Sequence, residues 1–215
     1  MKIAVIGATG RVGKAMVAEA LARGHQVIAI CRNIDKADKK PGVSVVKADV
    51  HSADETATAV KGADAVISAY NGGWMDPKIR ENFATGMNGI IAGIKKAGVK
   101  RVLFVGGAGS LIEDGVRLID KPDFNPTWKN GAEGAADALR IAQREKDLEW
   151  SFFSPAMQLM DEGKSGGKFK LGLDAPIRNA KGEHKVTMGD YAHAALDEIE
   201  HPKHVRKRFT IGSTV

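Results

Sequence analysis

Lys2-Ile3-Ala4-Val5-Ile6 runs directly into Gly7-Ala8-Thr9-Gly10-Arg11-Val12-Gly13. The first five residues form a short apolar run that ends in glycine, which predicts a buried strand. Beyond them, Arg11–Arg23 carries Val12, Met16, Val17, Ala20 and Leu21 at helical spacing, and Gly24 stands where that helix stops. The glycines therefore occupy a turn between a strand and a helix. Gly7 permits a tight bend, Gly10 lets backbone approach a pyrophosphate, and Gly13 lets the helix close on the strand. The helix N-terminus adds free N–H groups and a positive dipole end. Gly7, Thr9, Gly10, Arg11, Val12 and Gly13 are thus the expected phosphate contacts of a dinucleotide.

The same alternation continues outward. Further strands are expected at Gln26–Ile30, Val43–Lys47, Ala63–Ala69, Arg101–Val105 and Glu149–Phe153, with short ones at Val186–Thr187 and Arg208–Ile211. Helices are expected from the capping box Ser52-Ala53-Asp54-Glu55 to Val60, and over Pro77–Ala97, Gly131–Lys146 and Asp190–Glu200. Strands alternating with helices predict an α/β fold of Rossmann type: a doubly wound parallel sheet with helices on both faces. Near-continuous apolar strands such as Ala65–Ile67 and Val102–Val105 suit such a sheet. One domain over 1–215 is expected, with loop insertions at about 111–129 and 160–183. A hairpin is expected around Phe169–Leu171. Both loops follow carboxyl ends of strands, where open α/β sheets bind ligands, and are the expected substrate lid.

The composition narrows the classes. The 215 residues carry 43% hydrophobic and 27% charged residues, ordinary for a globular protein, with no apolar run near the ~20 residues of a membrane span. The N-terminus lacks a signal-like apolar region, and Cys31 is the single cysteine, so a cytoplasmic protein without a cysteine metal cluster is expected. Residues 1–107 hold 16 Lys and Arg against 9 Asp and Glu, which points to an anionic partner for that half. No basic arm or basic–aromatic stretch suggests nucleic acid. Arg206-Lys207-Arg208 reads as a solvated strand edge. The scattered histidines read as surface or packing residues, and no metal site is expected.

The turn's glycine spacing resembles the GxxGxxG pattern of extended and atypical short-chain dehydrogenases/reductases. In that superfamily an acidic residue after strand three meets the adenine, which implies Asp49 and Val50. The chain passes the cofactor ribose after strand four, which implies Ser68, Ala69 and Tyr70. The end of strand two bears Cys31-Arg32 where an NAD-specific site favours an acid. A guanidinium suits a 2′-phosphate, and Arg11 could reach it from the other side. NADP(H) is the preferred cofactor on this reading, with NAD(H) possible. The superfamily's Tyr-x-x-x-Lys acid is missing: Trp74 follows Tyr70 by four residues, and Ala195 follows Tyr191. An acceptor that delocalises charge itself, such as a flavin, needs no protein acid.

Across essentially the whole chain, Gly7–Gly13, Val105–Leu111, Trp128-Lys129, Leu148–Ala156 and Gly167–Gly172 resemble the NADH-flavin reductases. These are atypical relatives near biliverdin-IXβ/flavin reductase and NmrA-like proteins. The resemblance implies hydride transfer to flavin or a similar conjugated acceptor. No flavin-binding motif is visible, so flavin (FMN or FAD) is expected as substrate rather than bound cofactor. It further implies Gly107, Ala108, Ser154, Pro155 and Ala156 beside the cofactor, and Ser110 as the catalytic residue that orients carboxamide or acceptor. Trp74, Met75, Leu111, Trp128, Met157 and Phe169 would wall a planar acceptor, with Lys129 near a phosphate or ribose. The alternatives are a non-catalytic NADP(H)-binding sensor of NmrA-like type, or an enzyme for an unrelated metabolite. The expected partner is a small-molecule acceptor, with the protein a monomer or dimer.

Overall fold

The computed structural model describes residues 1–74, 76–161 and 165–215. Strands β1 (Lys2–Ile6), β2 (Gln26–Cys31), β3 (Val43–Lys47), β4 (Ala65–Ser68) and β5 (Arg101–Val105) alternate with helices α1 (Arg11–Ala22), α2 (Ala53–Ala59) and α3 (Ile79–Lys96). The rest of the chain adds β6 (Ile112–Glu113), β7 (Val116–Arg117), α4 (Lys129–Arg144), β8 (Glu149–Ser154), β9 (Gln158–Met160), β10 (Phe169–Gly172), β11 (Lys185–Thr187), α5 (Met188–Glu200) and β12 (Lys207–Ser213). The eight-stranded sheet has the order β10-β12-β8-β5-β4-β1-β2-β3. Every neighbouring pair in it is parallel except β10–β12. This is the doubly wound Rossmann sheet expected from the strand–helix alternation. The chain reverses direction of growth between β1 and β4, and a cleft opens at such a reversal beyond the carboxyl ends.

Successive strand residues point to opposite faces, so each strand feeds two cores. Ala4, Ile6, Val66, Phe104 and Phe152 pack under α3 and α4. Ile3, Val5, Ile67, Leu103 and Phe153 pack under α1 and α5. Ser52 caps α2 as its sequence requires, accepting from the N–H of Glu55 at 3.2 Å. Glycine shapes the α3–α4 seam: a Cβ on Gly134 would stand 2.6 Å from the Phe83 ring.

Three expectations change. Phe169–Gly172 makes no local hairpin; it pairs antiparallel with β12, Phe169 opposite Ser213. The stretch expected as one long loop after β5 contains a hairpin, β6–β7, turned by Asp114 (φ 56°) and Gly115 (φ 78°). Two successive left-handed residues suit a tight hairpin, and Asp-Gly was the available signal. The Arg206–Arg208 run is only partly a solvated edge: β10 pairs with β12 at Thr210–Ser213 alone, so Lys207 and Arg208 pair on one side with β8, and Arg206 and Lys207 are exposed. The Arg208 side chain instead turns inward, donating to the Ser110 carbonyl at 2.8 Å and to its Oγ at 3.2 Å while also pairing with Asp174.

Candidate functional site

The glycine turn is built by close approach. Gly7 has φ 74°, and a Cβ there would stand 2.7 Å from the Ala69 carbonyl oxygen. A Cβ on Gly13 would stand 2.1 Å from the Gly7 carbonyl oxygen, so any side chain would push α1 off β1. Gly10 caps α1 without a side-chain hydrogen bond, and the helix has no acidic residue in its first turn. The leading N–H groups of α1 have no intrahelical partner and face the turn's mouth. Such a turn can cradle an anion on backbone N–H groups.

A cleft of about 290 Å³ opens beside it. Its walls come from four strand ends: Gly7, Thr9 and Gly10 after β1, Arg32 after β2, Asp49 and Val50 after β3, and Ala69 and Tyr70 after β4. The structure thus gathers eight of the residues expected from sequence. It adds Asn33, Lys36, His51 and Asn71, which sequence reading missed. Arg32 is exposed and forms no ion pair or side-chain hydrogen bond among the described residues. Asp49 is exposed, and one carboxylate oxygen accepts from the His51 N–H at 3.0 Å.

Tyr70 lines the cleft wall. Its hydroxyl donates to the Asn82 carbonyl at 2.9 Å and lies 2.8 Å from Nε2 of His51. The ring sits on Gly86, where a Cβ would clash at 2.3 Å. Burial, partly opposed by Arg32, pushes its pKa up to about 12. His51 carried no sequence signal, because only the approach of α3 to β3 brings Tyr70 against it.

Other expected residues lie outside the cleft lining. Val12 and Gly13 sit within α1, Ser68 is buried in β4, and Gly107 and Ala108 pack beneath α4, where a Gly107 Cβ would stand 2.9 Å from Ala135. Ser154 and Ala156 are buried, with Pro155 half-buried between them. The Ser154 hydroxyl has no hydrogen-bond partner among the described residues. Arg11 turns from the cleft and pairs with Asp161 and the Leu159 carbonyl, so it does not stand opposite Arg32. Leu111 is no pocket wall: it is fully buried with Ala108 and Leu118. Phe169 packs edge-on against His193. Met157 and Lys129 are exposed. Met75 lies outside the described residues. Trp74 and Trp128 meet edge to face, centroids 5.4 Å apart at 89°, with 52% and 48% of their surfaces exposed.

Ser110 is nine-tenths buried, and its Oγ accepts from Arg208. Because a guanidinium only donates, the Ser110 hydroxyl proton remains available to another acceptor. Tyr191 is fully buried, and its hydroxyl donates to the Phe153 carbonyl at 2.7 Å. Burial holds its pKa well above the usual phenol value. No described helix is long and apolar enough to cross a membrane.

Comparison with known proteins agrees with this geometry. Residues 7–202 match the family model described as NAD(P)H-binding. The Bacillus subtilis (strain 168) protein YwnB is 38% identical over 99% of both chains. A solved structure from Bacteroides thetaiotaomicron, provisionally named an epimerase, superposes with a TM-score of 0.91 at 42% identity, covering 100% of this chain and 97% of that one. One from Streptococcus pneumoniae TIGR4, provisionally named an NADH-flavin reductase, superposes with a TM-score of 0.87 at 35% identity over 99% of both.

Proposed function

Because this chain belongs to the NAD(P)H-binding family over residues 7–202, we propose that it is an NAD(P)H-dependent reductase acting on a flavin or a similarly conjugated acceptor. One observation carries this reading: among the described residues, both tyrosine hydroxyls are engaged by backbone carbonyls, at Asn82 and Phe153. Neither stands free as the tyrosine acid that ketone reduction would use, which favours an acceptor that holds the incoming charge in its own ring system. The reduced nicotinamide, when bound, supplies the hydride, and solvent supplies the balancing proton.

The chain's own part is positioning. The Gly7–Gly13 cradle and the α1 N-terminus hold the diphosphate. The Ser110 hydroxyl, with Arg208 donating to its oxygen, orients the carboxamide or the acceptor. Arg32 meets the 2′-phosphate of NADPH, supported by its place on the cleft wall beside Asn33 and Lys36. A charge-assisted pair contributes about 1.5–3 kcal/mol. Arg32→Asp therefore weakens NADPH binding roughly 10- to 100-fold and leaves NADH binding nearly unchanged. Unchanged NADPH affinity in that variant would refute the assignment.

The activity itself is tested by anaerobic loss of NADPH absorbance on adding FMN, with NADH in parallel. Protein-dependent oxidation that prefers NADPH is expected. Tight NADPH binding without turnover would instead support a sensor that reports cofactor state to a protein partner, a reading the engaged tyrosines also suit.

A further inference from the structure

Strand β10 closes one end of the eight-stranded sheet, and among the described residues no strand lies on its outer side. An open edge presents unpaired N–H and C=O groups to any chain that can lie alongside. One bond fixes the phase of those groups. Thr214 donates its N–H to the Lys168 carbonyl at 2.9 Å, and Phe169 stands opposite Ser213, so Lys168 and Thr214 form a hydrogen-bonded pair. Pairs alternate along an antiparallel ladder, so Lys170 and Gly172 also direct their backbone groups to β12. Phe169 and Leu171 turn theirs outward.

The side chains of this edge are apolar on one face and charged on the other. Phe169 packs against His193 of α5, and Leu171, two residues on, shares that face. Leu171 is 42% exposed, and Leu173, just past the strand, is 50% exposed. Ile112, also exposed, stands beside them and donates its N–H to the Asp174 carbonyl at 2.8 Å. On the other face lie Lys168 and Lys170, both exposed, with Asp174 beyond the strand. Asp174 pairs with Arg208 yet leaves 64% of its side chain open to a further cation. The sheet's opposite edge differs: on β3, Val43, Val45 and Val46 are half-buried, and no large apolar side chain is exposed.

Against a second copy of itself, β10 is complementary about Leu171. An antiparallel pair with its two-fold axis at Lys170 would set Lys170 against its own copy, a like-charge contact. With the axis at Leu171, the outward-facing backbone of Leu171 meets that of Leu171 in the second copy, and two hydrogen bonds join them. Phe169 then lies beside Leu173 of the second copy, apolar against apolar. Lys168 lies beside Asp174, and Lys170 beside Gly172, which has no side chain to oppose it. A one-residue slip would lose every one of these matches. We propose that β10 is a self-association surface, through which two copies of this chain form a two-fold dimer centred on Leu171. The two eight-stranded sheets join into one across it. A contact of this symmetry closes on itself, so it makes dimers and not fibres. It holds whichever acceptor the cleft serves.

Sedimentation of the full chain over a concentration series reads the dimer directly, and a concentration-dependent dimer is expected. Leu171→Glu sets two like charges against each other on the axis and is expected to raise the dimer Kd about tenfold or more. Lys168→Glu sets an acid against Asp174 at both ends, and a rise of roughly three- to tenfold is expected. Both side chains are exposed, so thermal melting and NADPH binding per chain should stay near wild type. Leu171→Cys tests the register without adding charge. Opposed Cα atoms of a hydrogen-bonded pair stand about 5.5 Å apart, within reach of a disulfide. Mild oxidation is expected to cross-link Leu171→Cys into a dimer and to leave Val205→Cys, exposed away from β10, uncoupled. The native Cys31 is buried and does not compete. A monomer at every concentration would overturn the proposal. So would a dimer that both glutamate variants leave intact, or equal cross-linking at the two engineered cysteines.

Discussion

On the β1–β3 side of the sheet, α1 closes on its strands where side chains are missing; on the β8–β12 side, α5 closes on side chains stacked face to face. At the first seam Gly7 and Gly13 bring backbone within a distance that no Cβ tolerates. At the second, Tyr191, Phe153, Phe209 and His204 form a column with centroid spacings of 4.3, 4.1 and 4.3 Å. The two devices serve different ends. A seam of bare backbone exposes N–H groups and can hold an anion. A seam of rings excludes water and anchors β12, the strand from which Arg208 reaches Ser110. One seam makes a binding site out of absence, while the other makes a fixed platform out of bulk.

Substitutions at each seam should break the contrast in different ways. Phe209→Ala removes the middle of the column, and a buried Phe→Ala change costs about 3–5 kcal/mol. A large drop in the denaturant midpoint is expected, with NADPH affinity per folded molecule little altered. Gly13→Ala costs less stability, roughly 3 kcal/mol at most, because α1 can shift outward. It is expected to weaken NADPH binding more than tenfold, since the shift moves the cradle. If Phe209→Ala hurt binding as much as Gly13→Ala, the two seams would not be separable.

A third test sharpens the carboxyl-terminal side through pH. His184 is buried immediately before β11, where its Nδ1 accepts from the Met157 N–H at 3.4 Å. Burial, helped by the charge of Arg178, pushes its pKa down from 6.5 to about 4. The unfolded chain therefore binds the proton more readily between those values. Stability is fully present above pH 6.5 and is lost as pH falls through about 4. The loss is on the order of 2 kcal/mol. Urea unfolding at pH 7.5 and 4.5 should show a smaller drop for His184→Gln than for the wild type. Equal drops would remove His184 from the account.

The first seam was readable from residues 2–13, because a strand, three spaced glycines and a helix are adjacent in the chain and each obeys a local rule. Arg32 was placed by counting from the end of strand two, and Asp49 by the superfamily resemblance; both lie on the cleft wall. The second seam was not readable. The spacing of Phe153, Tyr191 and Phe209 has no local meaning until β12 inserts between β8 and β10. His51 against Tyr70 and Arg208 against Ser110 are likewise meetings of distant segments.

By itself, then, the sequence determined the doubly wound sheet, the glycine turn between β1 and α1, and the basic residue at the end of β2. Periodicity, glycine spacing and strand ends are properties of neighbouring residues. Only the tertiary structure decided that Leu111 is core, that Arg11 faces Asp161, that the Arg208 side chain turns inward, and that Trp74 and Trp128 stand together at the surface. Those outcomes depend on which distant side chains compete for the same space, and no local pattern records that competition.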